Sequence, residues 1–188
     1  MGLGLLTFRR TLYSMGQKAD EWFDVVNERD EVIGRELRRV VHARGLWHRA
    51  VHVLVFDAKG RVFLQKRSMT KDLSPGLWDS SCSGHLDSGE DYDTAALREL
   101  AEEIGVHVTP GVGPRRWFRI ESCEETGWEF VWVYRLQHEG PFVLHPDEIE
   151  TGEWMSPGDV THAIATRPEE YCPSFKLLWP MAATRLNV

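Results

Sequence analysis

Val51, Val53 and Val55 alternate with His52 and Leu54 in RAVHVLVFD, which spans 49–57. Apolar side chains two residues apart line one face of an extended chain, so this stretch predicts a strand. RVFLQKR (61–67) predicts a second, and a turn at Asp57–Gly60 joins the two into a hairpin. EWFDVVNERDEVIGREL (21–37) reads as two short strands about a turn at Glu28–Asp30. A polar loop closed by Pro75 and Gly76 leads to a short strand at LWDSSCSG (77–84). Further strands are predicted at RRWFRIES (115–122) and WEFVWVYRL (128–136), and TGEWMSP (151–157) runs from a short strand into a helix near 157–166.

The period changes in between. Leu97, Leu100 and Ile104 recur at helical spacing and predict an apolar stripe, with Glu99, Glu102 and Glu103 on the opposite face. Ser88 or Asp91 can cap the start of this helix, and Gly105 stands where a left-handed residue ends one. A last helix is expected over 173–186, with Phe175, Leu178 and Trp179 inward and Pro180 as a kink. There is no internal repeat and no composition shift that marks a linker. The expected organisation is one α/β sandwich over 20–188, with residues 1–19 as a loosely ordered extension.

Composition adjusts this picture only slightly. Of 188 residues, 42% are apolar and 27% charged, which is ordinary globular usage and enough for an unaided core. The net charge of −7 carries no long block of one sign, which argues against binding a nucleic-acid polymer through a basic face. No apolar run approaches the ~18 residues of a membrane span. Cys82, Cys123 and Cys172 are odd in number and lack metal-type spacing, so free thiols in a reducing, cytoplasmic setting are expected. The eight tryptophans are spread along the chain, and Trp78, Trp117 and Trp128 are candidates to stack on a base or pack on an isoprenoid chain.

Three glutamates on one helix face repel one another by a few tenths of a kcal/mol per pair. A divalent cation relieves that repulsion, because carboxylate oxygens are the ligands Mg²⁺ and Mn²⁺ prefer and this spacing converges them. So loaded, an acidic face binds a diphosphate it would otherwise reject, polarises its phosphorus–oxygen bonds, and makes water easier to deprotonate.

The segment GHLDSGEDYDTAALRELAEEIGV (84–106) sets Gly84, Glu90 and Arg98-Glu99-Leu100-x-Glu102-Glu103-x-Gly105-Val106 in one frame. It resembles the box of the Nudix superfamily at every defined position, strongly over these residues and plausibly over 20–188. The resemblance implies the Nudix fold, an α/β/α sandwich with a mixed central sheet. It implies Glu99, Glu102 and Glu103 as metal ligands, the Gly84 carbonyl as a further one, and Arg98 paired with Glu90 to fix the loop against the helix. The general base is not constant in this family; Glu99 is one candidate and a loop acid another.

HRAVHVLVFDAKGRVFLQKRSMTKDLSPGLWDSSCSGH (48–85) is similar to the type 1 isopentenyl-diphosphate isomerases, a branch of the same fold, and to their hydrolase-like relatives. Arg67 and Lys71 match basic residues that hold the diphosphate there. His85 matches a histidine of the isomerase metal site, whereas His42 and His48 match only approximately, their spacing being one residue shorter. Glu129 matches an acid of that site, but its partner two residues earlier is Gly127 here. The isomerase cysteine aligns with Ser83. Cys82 is one residue away, on the other face of an extended strand, and a buried structural role is expected for it. An intact carboxylate set without the cysteine favours water attack on phosphorus of an X-linked diphosphate, such as a nucleoside-diphosphate derivative. The expected cofactor is Mg²⁺, replaceable by Mn²⁺; the expected partner is a small diphosphate substrate, and the resemblance allows a second copy of the chain as another. The alternatives are an isoprenoid-diphosphate isomerase and a noncatalytic nucleotide sensor.

Overall fold

The computed structural model describes residues 21–108 and 112–187, so the proposed extension lies outside the described residues. The chain opens with an antiparallel hairpin, β1 (Trp22–Val26) and β2 (Val32–Leu37). Its turn falls where expected, held by the Asn27 side chain accepting from the Arg29 and Glu31 amides. A short helix follows that the sequence pattern did not predict, α1 (Arg38–Arg44), ending on left-handed Gly45. It has seven residues and no side-chain cap at its start, so it carries neither signal that marks longer helices.

The central sheet is built from β3 (His48–Phe56), β4 (Val62–Arg67), β5 (Trp78–Asp79), β6 (Cys82–His85), β7 (Arg115–Ile120), β8 (Glu129–Gln137) and β9 (Ile149–Met155). Its path is β5-β4-β3-β8-β7, with β6 added on β3 and β9 on β4. The β3–β8 pair is parallel and the other pairs are antiparallel, so the sheet is mixed as expected. The hairpin of β3 and β4 pairs only at its closed end, Val55 with Phe63 and Phe56 with Val62. Beyond it the strands diverge, β3 to meet β6 and β4 to meet β5 and β9. The single strand expected at 77–84 is therefore two. Ser80 and Ser81 break it with hydroxyls that bond backbone groups of Cys82, Val55 and Phe63.

Helices cover both faces. α2 (Tyr92–Ile104) packs on the side of Val51, Val53 and Val55. α3 (Pro157–Thr166) and α4 (Pro173–Leu186) pack on the side of Leu54, Phe56 and Leu64. Phe175, Leu178 and Trp179 of α4 are inward as expected, and the helix continues as one element through Pro180. No helix among the described residues is long and apolar enough to cross a membrane.

Two details of α2 correct the sequence pattern. Asp91 is the cap, accepting from the Thr94 amide, while Ser88 donates to Asp24 instead. Leu97 is 43% exposed and does not belong to the buried stripe, which is made by Ala96, Leu100 and Ile104 with Tyr92 and Ala95. A helix wedged into a groove buries more than one stripe, and here the second buried row is acidic. Leu100→Ala is expected to cost about 2–5 kcal/mol in urea unfolding, and Leu97→Ala less than about 0.5 kcal/mol.

Candidate active site

Glu99 and Glu103 stand one turn apart on α2 and are both buried, 2% and 3% exposed. Glu102 lies at the surface, its side chain 53% exposed. The three acids of the motif thus separate into an inner pair and an outer member that accepts from Arg98 at 3.4 Å.

Arg98 organises the inner pair. Its Nε and Nη2 donate to the two oxygens of Glu90 at 3.0 and 2.8 Å, its Nη1 to Glu99 at 2.6 Å, and Nη2 also to the His85 carbonyl at 2.9 Å. The expected Arg98–Glu90 pair is present. Burial disfavours the charged guanidinium, but Glu90 and Glu99 outweigh it and raise its pKa. Glu103 accepts from the Ser83 amide and from Gln65 Nε2, both at 3.1 Å. Burial, countered by Lys71 and added to by Glu148, raises its pKa.

β6 sits directly against this pair. A Cβ on Gly84 would lie 1.9 Å from Glu99 Oε1, so only glycine admits the carboxylate there. Cys82 and Ser83 diverge as the alternation requires: Cys82 is fully buried in the apolar cluster under α2, and Ser83 lines the cavity.

The same cavity is lined by Arg38, Arg67 and Lys71. Arg67 faces Asp79 at 3.5 Å and donates to the Leu73 carbonyl. Lys71 is paired with Glu148, an acid in the segment before β9 that sequence reasoning did not single out. Arg38 was missed as well. It lies on the unpredicted α1, is 9% exposed, and bonds Asp72 at 3.0 Å while its Nε finds no partner. None of the eight tryptophans lines the cavity; Trp78 and Trp117 pack on the core beneath α3 and α4, and Trp128 lies against Gly45.

A second donor set lies beside the first. The parallel ladder puts His48 opposite Glu129, and the β3–β6 ladder puts His85 opposite Ala50, two residues along. Gly45 turns the chain so that His42 of α1 faces both. One ligand atom from each of His42, His48 and His85 falls within 4.8 Å of the others. Glu129 Oε1 lies 2.9 Å from His85 and 3.5 Å from His48. Phe23 of β1 covers the group, its ring 4.7 Å from that of His85.

The histidines that sequence alignment matched only approximately are therefore brought together. His48 Nδ1 is 2.9 Å from the Leu46 carbonyl. A carbonyl only accepts, so Nδ1 holds a proton and, in the neutral ring, Nε2 a lone pair. That Nε2, 3.5 Å from Glu129, and His42 Nε2 are both buried without a hydrogen bond among the described residues. Burial, helped by His48, lowers the His42 pKa to about 4, and burial lowers that of His85 to about 3 against the pull of Glu129. Three imidazoles gathered beside a carboxylate fit a divalent ion of the Mn²⁺ or Zn²⁺ type. The all-oxygen set of α2 fits Mg²⁺.

A mixed sheet between helices, with an inner carboxylate pair facing a basic-walled cavity, suits the hydrolysis of diphosphate bonds. Comparison with known proteins agrees. The NUDIX domain model matches residues 46–175, and the chain belongs to the Nudix family. An uncharacterized Nudix hydrolase of Yersinia pestis is 33% identical over 169 residues, covering 89% of this chain and 88% of the relative. An isopentenyl-diphosphate Delta-isomerase 2 of Aromatoleum aromaticum is 34% identical over 152 residues, 78% of each chain. A Deinococcus radiodurans protein solved by crystallography superposes with a TM-score of 0.77 at 31% identity, covering 86% of this chain and 98% of its own.

Two outcomes follow from the geometry. Gly84→Ala drives a methyl group into Glu99 and is expected to lower turnover about a hundredfold, read by steady-state hydrolysis. The unfolded chain takes up protons at His42 and His85 below about pH 6.5, while the folded chain resists until about 4 and 3. Stability of chelator-treated protein should therefore fall as pH drops through that window, and fall less in His85→Gln, as urea midpoints at pH 7 and 5 would show.

Proposed function

We propose that the protein hydrolyses an X-linked diphosphate by attack of water on phosphorus, with Mg²⁺ as cofactor and Mn²⁺ able to replace it. The observation that supports this best is the inner pair Glu99 and Glu103 in a cavity whose other walls carry Arg38, Arg67 and Lys71. Glu99 and Glu103, with Glu102 and the Gly84 carbonyl as further donors, would hold the cation. A bound ion supplies positive charge to the diphosphate oxygens and makes water easier to deprotonate. Arg38, Arg67 and Lys71 orient the diphosphate by charge-assisted hydrogen bonds. The Arg98–Glu90 pair fixes the loop and keeps Glu99 turned inward. As water attacks, the bond from phosphorus to the leaving phosphate oxygen breaks and that oxygen takes the electron pair. The proton passes from water to Glu99 or to Glu148, the loop acid beside Lys71.

A second reading has its own observation. The group of His42, His48, His85 and Glu129 supports kinship with the isopentenyl-diphosphate isomerases and a metal-binding role for Glu129 and His85. Ser83 in place of the reactive cysteine weighs against isomerisation.

Phosphate release from a panel of diphosphates, with isopentenyl diphosphate included and its products analysed, separates these readings. Hydrolysis should need Mg²⁺ or Mn²⁺, stop with chelator, and fall by about a hundredfold or more in Glu103→Gln. Isomerised product without phosphate release would favour the second reading. Unchanged turnover in Glu103→Gln would remove Glu103 from the site.

A further inference from the structure

His52 is used by neither donor set, yet its ring lines the cavity while only 4% exposed. The β3 alternation sets it on the face of Ala50 and Leu54, the side covered by α4. Its cross-strand partner is Ser83, which lines the cavity beside it. Together they form the wall remote from α2, continued by Cys172 and Ser174 at the start of α4.

The tautomer of His52 follows from its neighbours. Nδ1 is 2.8 Å from Ser80 Oγ, and that hydroxyl is 3.2 Å from the Cys82 carbonyl. A carbonyl only accepts, so the single proton of Ser80 goes to Cys82, and Ser80 must accept from Nδ1. Asp79 Oδ1, 3.6 Å from the same nitrogen, favours the proton there too. In the neutral ring Nε2 is left with a lone pair, and no described residue bonds it.

We propose that this wall receives an organic group X bearing hydroxyls, and that His52 Nε2 is the acceptor that reads one of them. The inference rests on the diphosphate-hydrolase reading and narrows its substrate class. A hydrocarbon X would expel water and leave Nε2 without a donor, which is unfavourable for a group so buried. A hydroxyl satisfies it and can in turn accept from Ser83 or Ser174. No tryptophan lines the cavity, so recognition there falls to hydrogen bonds rather than to stacking on indole. His52 thus discriminates between substrates of similar size, as a buried polar group does when an analogue lacks its partner.

The test compares ribose 5-diphosphate with n-pentyl diphosphate, which have equal carbon numbers and differ in hydroxyls. Hydrolysis with Mg²⁺ and calorimetric binding are measured for the wild type, His52→Leu and His52→Gln. Because His52 is buried, His52→Gln keeps an acceptor and guards against loss of fold. The wild type should prefer the ribose compound about tenfold to a hundredfold in kcat/KM and in affinity. His52→Leu should lose most of that preference by losing the ribose compound alone, and His52→Gln should keep part of it. A wild-type preference for the pentyl chain, or an equal fall for both compounds in both variants, would overturn the proposal. A binding preference that depends on His52 without any hydrolysis would uphold it and overturn the hydrolase reading instead. Absence of both binding and hydrolysis for both compounds would overturn the two together.

Discussion

Every polar arm of Arg98 ends on an oxygen of the motif segment: both oxygens of Glu90, one of Glu99, and the carbonyl of His85. A guanidinium has a rigid fork of donors and no acceptor, so it holds several oxygens in one plane where a lysine would hold one. This single group ties the loop to α2 and α2 to β6. It also offsets part of the cost of burying Glu99 beside Glu103. The inner carboxylate pair, and with it the chemistry of the cavity, depends on that clamp.

The four residues of β6 show how closely the site is built into the sheet. Cys82 is sealed in the core under α2, and Ser83 turns to the cavity while its amide bonds Glu103. Gly84 leaves room for the Glu99 carboxylate, and His85 enters the histidine group. Slipping the strand by one residue would exchange all four roles. The serines before it, by breaking β5 from β6, let one short strand serve the carboxylates on one side and the histidines on the other. The two donor sets are chemically distinct. Oxygens alone suit a hard cation, while three imidazoles with one carboxylate suit a borderline one.

Much of this was legible in residue order. The Nudix frame marked Gly84, Glu90, Arg98, Glu99, Glu102 and Glu103, and the structure places the expected Arg98–Glu90 pair in it. Arg67, Lys71, His85 and Glu129 were found through a longer resemblance, and each stands in or beside the cavity. Arg38 and Glu148 were not legible, because each acts through a neighbour distant in sequence: Asp72 for Arg38, and Lys71 for Glu148. The structure leaves Trp78, Trp117 and Trp128, the candidate ligand platforms, out of this cavity. A large ring packs into the core for the same reason that it stacks on a ligand, and composition does not distinguish the two.

Local order determined the elements and their ends: the alternation of β3, the Asp91 cap, the Gly105 stop, the acidic row of α2. These depend on dihedral preference and on spacing within one element, which a sequence states directly. Tertiary structure decided which members of each row turn inward. It buried Glu99 and Glu103 and left Glu102 and Leu97 outside, since the groove that α2 enters is made by strands far away in the chain. It gathered His42, His48 and His85, whose meeting depends on a parallel ladder and on a short helix without a side-chain cap at its start. It also set His52 in the wall of the cavity. Burial and register are properties of the whole sheet, and no single stretch of residues contains them.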